Sequence, residues 1–171
     1  MKRSAVFLDR DGTINYDKGY TYKFTEFRFR PFVIKGLRYL SRRNFLIFIV
    51  TNQAGIARGK FKITDLNKLH KKIKAHLKKR KVIIHSIEYC PYHPNGIIKK
   101  YKKKSAYRKP GNLMIKKILK KWKIDLNKSF MLGDQRSDML AAKKSNLYFE
   151  YVSGNFYKQI KKIENKIINN C

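Results

Sequence analysis

Ser4-Ala5-Val6-Phe7-Leu8-Asp9-Arg10-Asp11-Gly12-Thr13 joins an apolar run to a charged cluster with no spacer between them. A short continuous apolar run reads as a strand buried on both faces. Its abrupt end predicts a charged turn at the carboxyl end of that strand. The pattern recurs twice. Leu46-Ile47-Phe48-Ile49-Val50 runs straight into Thr51-Asn52-Gln53, and Phe130-Met131-Leu132 runs into a segment from Gly133-Asp134 to Asp138. A fourth polar cluster, Arg108-Lys109-Pro110, lies where a loop meets a helical pattern. In open α/β sheets the carboxyl ends of strands form the ligand crevice, so all four clusters are expected to meet there.

The segments between these runs carry helical spacing. Val33, Ile34, Leu37 and Leu40 predict a helix over Val33–Arg42. Thr64 is a candidate cap for a helix with Leu66, Leu69, Ile73 and Leu77 on one face. Leu113, Ile115, Ile118, Leu119 and Trp122 predict another helix, and 139–144 and 157–168 two more. Val82–Ile84 with Ser86–Tyr89, and Tyr148–Val152, read as further strands, and Cys90 to Tyr107 as a polar loop. Alternating strands and helices predict an α/β fold with a mostly parallel central sheet flanked by helices. A length of 171 residues suits one domain, 1–171, with a substrate-side loop at about 90–108.

Lys and Arg number 42 against 11 Asp and Glu, a formal net charge of +31. Such a field could attract nucleic acid or other anions. The lysines are spread along the whole chain, however, which reads as a compositional habit and disfavours nucleic acid as a partner. The two cysteines, Cys90 and Cys171, make no disulfide framework. With no secretory segment and no apolar run long enough to span a bilayer, the expectation is a cytoplasmic monomer without membrane insertion.

Where carboxylates are scarce, a cluster of them is informative. Asp9 and Asp11 are two apart, which in an extended segment puts both side chains on one side. A carboxylate can attack phosphorus and form an aspartyl-phosphate, while a second protonates the leaving oxygen and then activates water. Repulsion between two close carboxylates tends to keep one protonated for acid work. Magnesium prefers a few carboxylates with phosphate and water, and Asp9, Asp134 and the backbone carbonyl of Asp11 form a suitable set. Thr51 can donate to a phosphate oxygen, and Lys109 can offset charge on the transferring group. Asp138 can orient Lys109 or cap the helix that begins near Met139. A plain Asp-Gly turn, a capping threonine and a solvated lysine are the bland alternatives, and each weakens once the clusters are taken together.

At these residues the chain resembles the haloacid dehalogenase superfamily: Asp9-x-Asp11-Gly-Thr looks like its first motif, Thr51 its second, Lys109 its third and Gly-Asp134-x-x-x-Asp138 its fourth. Within it, residues 7–15, 51–61, 89–94 and 108–110 closely resemble the D-glycero-D-manno-heptose 1,7-bisphosphate 7-phosphatases, to which histidinol-phosphate phosphatases are near relatives. The resemblance implies a Rossmann-like domain without a large cap and a small phosphorylated sugar as substrate. It implies Asp9 as nucleophile, Asp11 as general acid/base, and Thr51 and Lys109 holding the transferred phosphate. Asn52, Gln53, Arg58 and Arg108 become candidates for substrate contact, Mg2+ the expected cofactor.

One departure is plain. The family's loop before Arg-Lys-Pro carries structural zinc on a Cys-x-His pair and a later Cys-x-Cys. Here the first pair reads Cys90-Pro91-Tyr92-His93 and the later one Ser105-Ala106-Tyr107. Four ligands are normally needed, so no structural zinc is expected, and Tyr92, Tyr101 and Tyr107 are the candidates for ordering the loop. The phosphatase domains of polynucleotide kinase–phosphatases share the Asp-x-Asp-Gly-Thr and Tyr-Arg-Lys-Pro segments and make a polynucleotide 3′-phosphatase the rival reading.

Overall fold

The computed structural model describes residues 2–169. Five parallel strands, β1 (Ala5–Leu8), β2 (Leu46–Asn52), β3 (Ser86–Cys90), β4 (Phe130–Gly133) and β5 (Tyr148–Tyr151), form one sheet in the order β3-β2-β1-β4-β5. Six helices complete it: α1 (Val33–Arg42), α2 (Ala54–Ala57), α3 (Ile63–Lys78), α4 (Leu113–Lys121), α5 (Arg136–Lys143) and α6 (Phe156–Asn169). The strand order reverses between β1 and β4, so the crevice expected of such a sheet opens outside the ends of these two strands. Asp9 follows β1 and Asp134 follows β4.

The central strand β1 is wholly buried because both of its faces are covered. Val6 and Leu8 join Ile47, Ile49 and apolar residues of α1, α3 and α6 on one side. Ala5 and Phe7 join Leu46, Phe48, Val50, the α4 residues Met114, Ile115 and Ile118, and Ala141 and Ala142 of α5 on the other. The alternation within one continuous apolar run is the period of two that a pleated strand imposes.

Helix α1 spans the expected residues, α3 to α6 begin or end within a few positions of expectation, and α2 was not expected. Three local differences have physical reasons. Val82–Ile84 makes no ladder: the Val82 N–H closes the end of α3 by donating to Leu77 O at 3.0 Å, and pairing with β2 begins only at Ser86 opposite Phe48. Val82 and Ile84 are still buried while Ile83 is exposed, so the alternation read as a strand belongs to a connection. Thr64 lies inside α3; its first turn is closed by Asp65, whose carboxylate accepts the Lys62 N–H at 3.0 Å. The four-residue α2 is too short to show a period. Among the described residues no helix is long and apolar enough to cross a membrane.

Helices α1 and α6 approach closely at Gly36, where an added Cβ would lie 2.7 Å from a Phe156 ring carbon. Gly36→Val is expected to wedge the two helices apart and destabilise the fold by about 1–3 kcal/mol. A lowered urea midpoint would show this, and an unchanged one would refute the close approach.

Candidate active site

The site is built around one buried ammonium. Lys109 Nζ donates to Asp9 Oδ1 at 2.6 Å and to the Val50 carbonyl at 2.8 Å, and lies 2.5 Å from Asp138 Oδ1. These partners come from the end of β1, the end of β2 and the first turn of α5. Asn52 fixes the backbone that carries the lysine: its Nδ2 donates to Lys109 O at 3.1 Å, and its Oδ1 accepts the Lys109 N–H at 3.0 Å. Asp138 also accepts the Gln135 N–H at 3.0 Å, closing the N-terminus of α5. It therefore serves the helix from the third helical position, not from the N-cap itself, while meeting the lysine.

Asp9, Asp134 and Asp138 each bring a carboxylate oxygen within 4.8 Å of the others. Asp134 Oδ1 is buried without a hydrogen-bond partner, while Oδ2 accepts from Gln135 Nε2 at 2.8 Å. A buried carboxylate oxygen lacking a donor, beside two further carboxylates, suits a hard cation with oxygen ligands. Burial pushes Asp9 up to about 7 against the pull of Lys109, with Asp138 and Asp11 adding to the rise. Burial also raises Asp134. Room for this group depends on Gly12, at φ +86°, where any Cβ would collide with the Asp134 carboxylate.

Asp11 stands apart from that trio. Its carboxylate is gripped by Arg10, with the closest contact 2.7 Å from Nη2, and also accepts from Asn15 Nδ2 at 3.0 Å and Gln53 Nε2 at 2.9 Å. Burial would raise its pKa, but the Arg10 charge and these bonds together lower it. Repulsion between Asp9 and Asp11 thus does not leave Asp11 protonated at rest, because the turn after β1 gives each carboxylate its own cation. Gln53 Nε2 also donates to Thr51 Oγ1 at 2.9 Å. Because that oxygen already accepts, the Thr51 hydroxyl proton remains available to another acceptor.

Asp9, Asp11, Thr51, Asn52, Arg108, Lys109, Asp134 and Asp138 line one cleft of about 280 Å³. A neighbouring cleft of about 370 Å³, sharing Asp11, Asp17 and Asn52, reaches Tyr20 and Arg58. Arg58 Nη1 donates to the Tyr20 hydroxyl at 2.6 Å, and Arg108 Nη1 is buried without a partner. Every candidate catalytic, metal and substrate-contact residue singled out from the sequence therefore lies at these two clefts. The side chain of Asn52 holds Lys109, however, and the buried Gln53 amide joins Asp11 to Thr51.

Residues 5–165 match the family model for polynucleotide kinase 3 phosphatase. The chain belongs to that family, within the haloacid dehalogenase superfamily. It is 37% identical over 146 residues to the D-glycero-beta-D-manno-heptose-1,7-bisphosphate 7-phosphatase of Rhodopseudomonas palustris, covering 85% of this chain and 81% of that one. The enzyme of the same name from Escherichia coli K12 is 40% identical over 143 residues, covering 84% and 75%. A HAD-like phosphatase from Mesorhizobium loti superposes with a TM-score of 0.86 at 27% identity, covering 96% of this chain and 87% of that one. The D,D-heptose 1,7-bisphosphate phosphatase of B. bronchiseptica, solved with magnesium and phosphate, shares the fold at a TM-score of 0.79 and 24% identity, covering 98% and 99%. The protein is a phosphatase of the haloacid dehalogenase type.

Arg10 and Asn15 enter the sequence reading only as part of the 7–15 segment and His70 not at all, yet Arg10 and Asn15 bond Asp11 and His70 stands behind Arg10. Arg10 Nη1 lies 3.1 Å from His70 Nε2, deep beneath the cleft. The loop at 90–108 is ordered chiefly by backbone: the Ile97 and Ile98 N–H groups donate to Ala57 O at 2.8 and 2.9 Å, and the His93 N–H to Tyr101 O at 3.2 Å. Tyr92 and Tyr101 pack at 6.2 Å, whereas Tyr107 is exposed. His85 immediately precedes β3 and Cys90 is its last residue, and Cys171 falls outside the described residues.

Gly12→Ala is expected to lower phosphatase kcat by about 100-fold, because displacing a reacting group by an ångström has that order of effect. Assayed beside a thermal melt, it should lose far more activity than stability; full activity would refute the steric role of Gly12.

Proposed function

We propose that the protein is a Mg2+-dependent phosphomonoesterase that removes the 7-phosphate of D-glycero-D-manno-heptose 1,7-bisphosphate. The observation that carries the reading is the Asp9–Lys109–Asp138 arrangement beside the unpartnered Asp134 oxygen. Asp9 is the nucleophile: its carboxylate oxygen bonds to phosphorus as the bond to the sugar oxygen breaks, and Asp11, which must first take up a proton with the substrate because its lowered pKa leaves it ionised at rest, gives that oxygen a proton. Asp11 then takes a proton from the water that attacks the aspartyl-phosphate, which releases phosphate and regenerates Asp9. Thr51 donates its hydroxyl to a phosphoryl oxygen, and Lys109 steadies both Asp9 and the charge on the transferred group. Asp9 and Asp134, with the backbone carbonyl of Asp11, would hold Mg2+, and Asp138, in the same carboxylate cluster, supports through Lys109. The metal, when bound, supplies positive charge to the phosphate oxygens.

Support for a substrate with a second anionic group comes from Arg108, whose Nη1 lacks a partner, and from Arg58 in the adjoining cleft. Asn52 and Gln53 contribute by holding Lys109 and by orienting Thr51 and Asp11. As proposed, residues 1–171 form one cytoplasmic, monomeric domain whose loop at about 90–108 needs no structural zinc.

Asp9→Asn is expected to reduce kcat at least about 1,000-fold while the protein still folds; retained activity would overturn the nucleophile. Chelation should abolish turnover and Mg2+ restore it, and elemental analysis of protein purified without added zinc should find none at stoichiometric level. In a comparison of kcat/KM, the heptose bisphosphate is expected to exceed histidinol phosphate and a 3′-phosphorylated oligonucleotide. Equal or better turnover of either would reassign the substrate.

A further inference from the structure

We infer that His70, on α3 and outside both clefts, is a positioning residue that sets Asp11 through Arg10. The inference rests on Asp11 being the general acid/base proposed above.

Arg10 is only 1% exposed, although it lies next to two cleft-lining aspartates. A guanidinium has five N–H donors in a rigid plane and no acceptor, so its orientation follows from what accepts on each edge. On one edge, Nε and Nη2 grip Asp11, and Nη2 also reaches Thr21 O at 2.9 Å and Gln53 Oε1 at 3.3 Å. On the other, Nη1 has His70 Nε2 at 3.1 Å as its partner among the described residues.

Because arginine can only donate, His70 Nε2 must be the acceptor. The imidazole is therefore neutral, with its proton on Nδ1. Burial, and then the Arg10 charge, lowers the His70 pKa to about 3, so the ring remains an acceptor across the working range. Tyr89 of β3 lies 5.7 Å from the ring centroid at 60° and limits its rotation. The guanidinium is thus pinned from behind by α3 and presents its fork to Asp11 in one plane. Without the rear acceptor, Nη1 would be buried and unsatisfied, and the fork would turn to find another partner.

The alternative is that His70 merely fills the core. The two roles differ in how damage depends on the leaving group. The value of kcat/KM covers steps up to departure of the alcohol, where a misplaced acid hurts a poor leaving group most. His70→Leu removes the acceptor. His70→Gln restores one near the Nε2 position, and His70→Asn carries the same amide one methylene short. For a sugar phosphate we expect kcat/KM to fall about 10-fold or more in His70→Leu and His70→Asn, and to recover in His70→Gln. For p-nitrophenyl phosphate, which needs little protonation, the change should stay within about 3-fold. Equal losses on both substrates, no loss, or failure of His70→Gln to exceed His70→Asn would overturn the inference. If His70→Leu does not fold, the Gln–Asn pair decides alone. Asp11→Asn separates the two readings. If it discriminates between leaving groups and the His70 variants do not, His70 is merely structural. If Asp11→Asn itself fails to discriminate, the acid role of Asp11 is what falls.

Discussion

The Lys109 ammonium is the constraint on which the site depends. It is buried, and burying an isolated cation is prohibitive unless paired charge and hydrogen bonds compensate. Here the compensation comes from three segments distant in sequence: Asp9, the Val50 carbonyl and Asp138. The strand ends must therefore stand in register for the lysine to be tolerated at all. The parallel ladder supplies this register, pairing Leu8 of β1 with Ile49 of β2 and with Leu132 of β4. Asn52 completes the arrangement by bonding both backbone groups of Lys109, so the ammonium is aimed by its main chain as well as by its partners.

One ammonium does not balance the charge it attracts. Asp9, Asp134 and Asp138 together carry more negative charge than Lys109 neutralises; burial is the chief cause of the rise in Asp9 to about 7, and the Asp138 charge adds to it. A divalent cation would relieve it and restore Asp9 as an ionised nucleophile. The free Asp134 oxygen is where the imbalance is most local. Asp11 escapes the competition because Arg10 gives it a separate cation. Two neighbouring carboxylates are thereby given opposite electrostatic settings, Asp9 raised and Asp11 lowered, the reverse of what a nucleophile and an acid need until a cation and the substrate are bound.

The parts legible in the sequence were those in which one residue type sufficed. β1, β2 and β4 read as continuous apolar runs because both sheet faces are covered, and the polar clusters that follow them had to converge at their carboxyl ends. Val82–Ile84 misled because burial alternates there without a ladder partner. Asn52 and Gln53 were legible as site residues, but the direction of their side chains was not. Spacing cannot tell whether an amide faces the cleft or a neighbouring main chain. Arg10 and His70 were hidden for a related reason. In a chain with 42 basic residues, a single arginine carries little information until its burial is known.

The loop at 90–108 is tied down by its main chain. Tetrahedral thiolate and imidazole ligation would tie such a loop to itself. Here the two consecutive N–H groups of Ile97 and Ile98 converge on the carbonyl of Ala57, the last residue of α2, and Gly96 lies so close that a Cβ would be 2.8 Å from the Ala57 methyl. The loop is therefore tied to the helix that immediately precedes Arg58, and Arg108 lies at its far end. A self-contained metal loop would leave the spacing of those arginines to the hinges around it. A loop bonded to α2 fixes one end of that spacing through the main chain. The placing of Arg58 relative to Arg108 then depends on the backbone packing of the loop against α2.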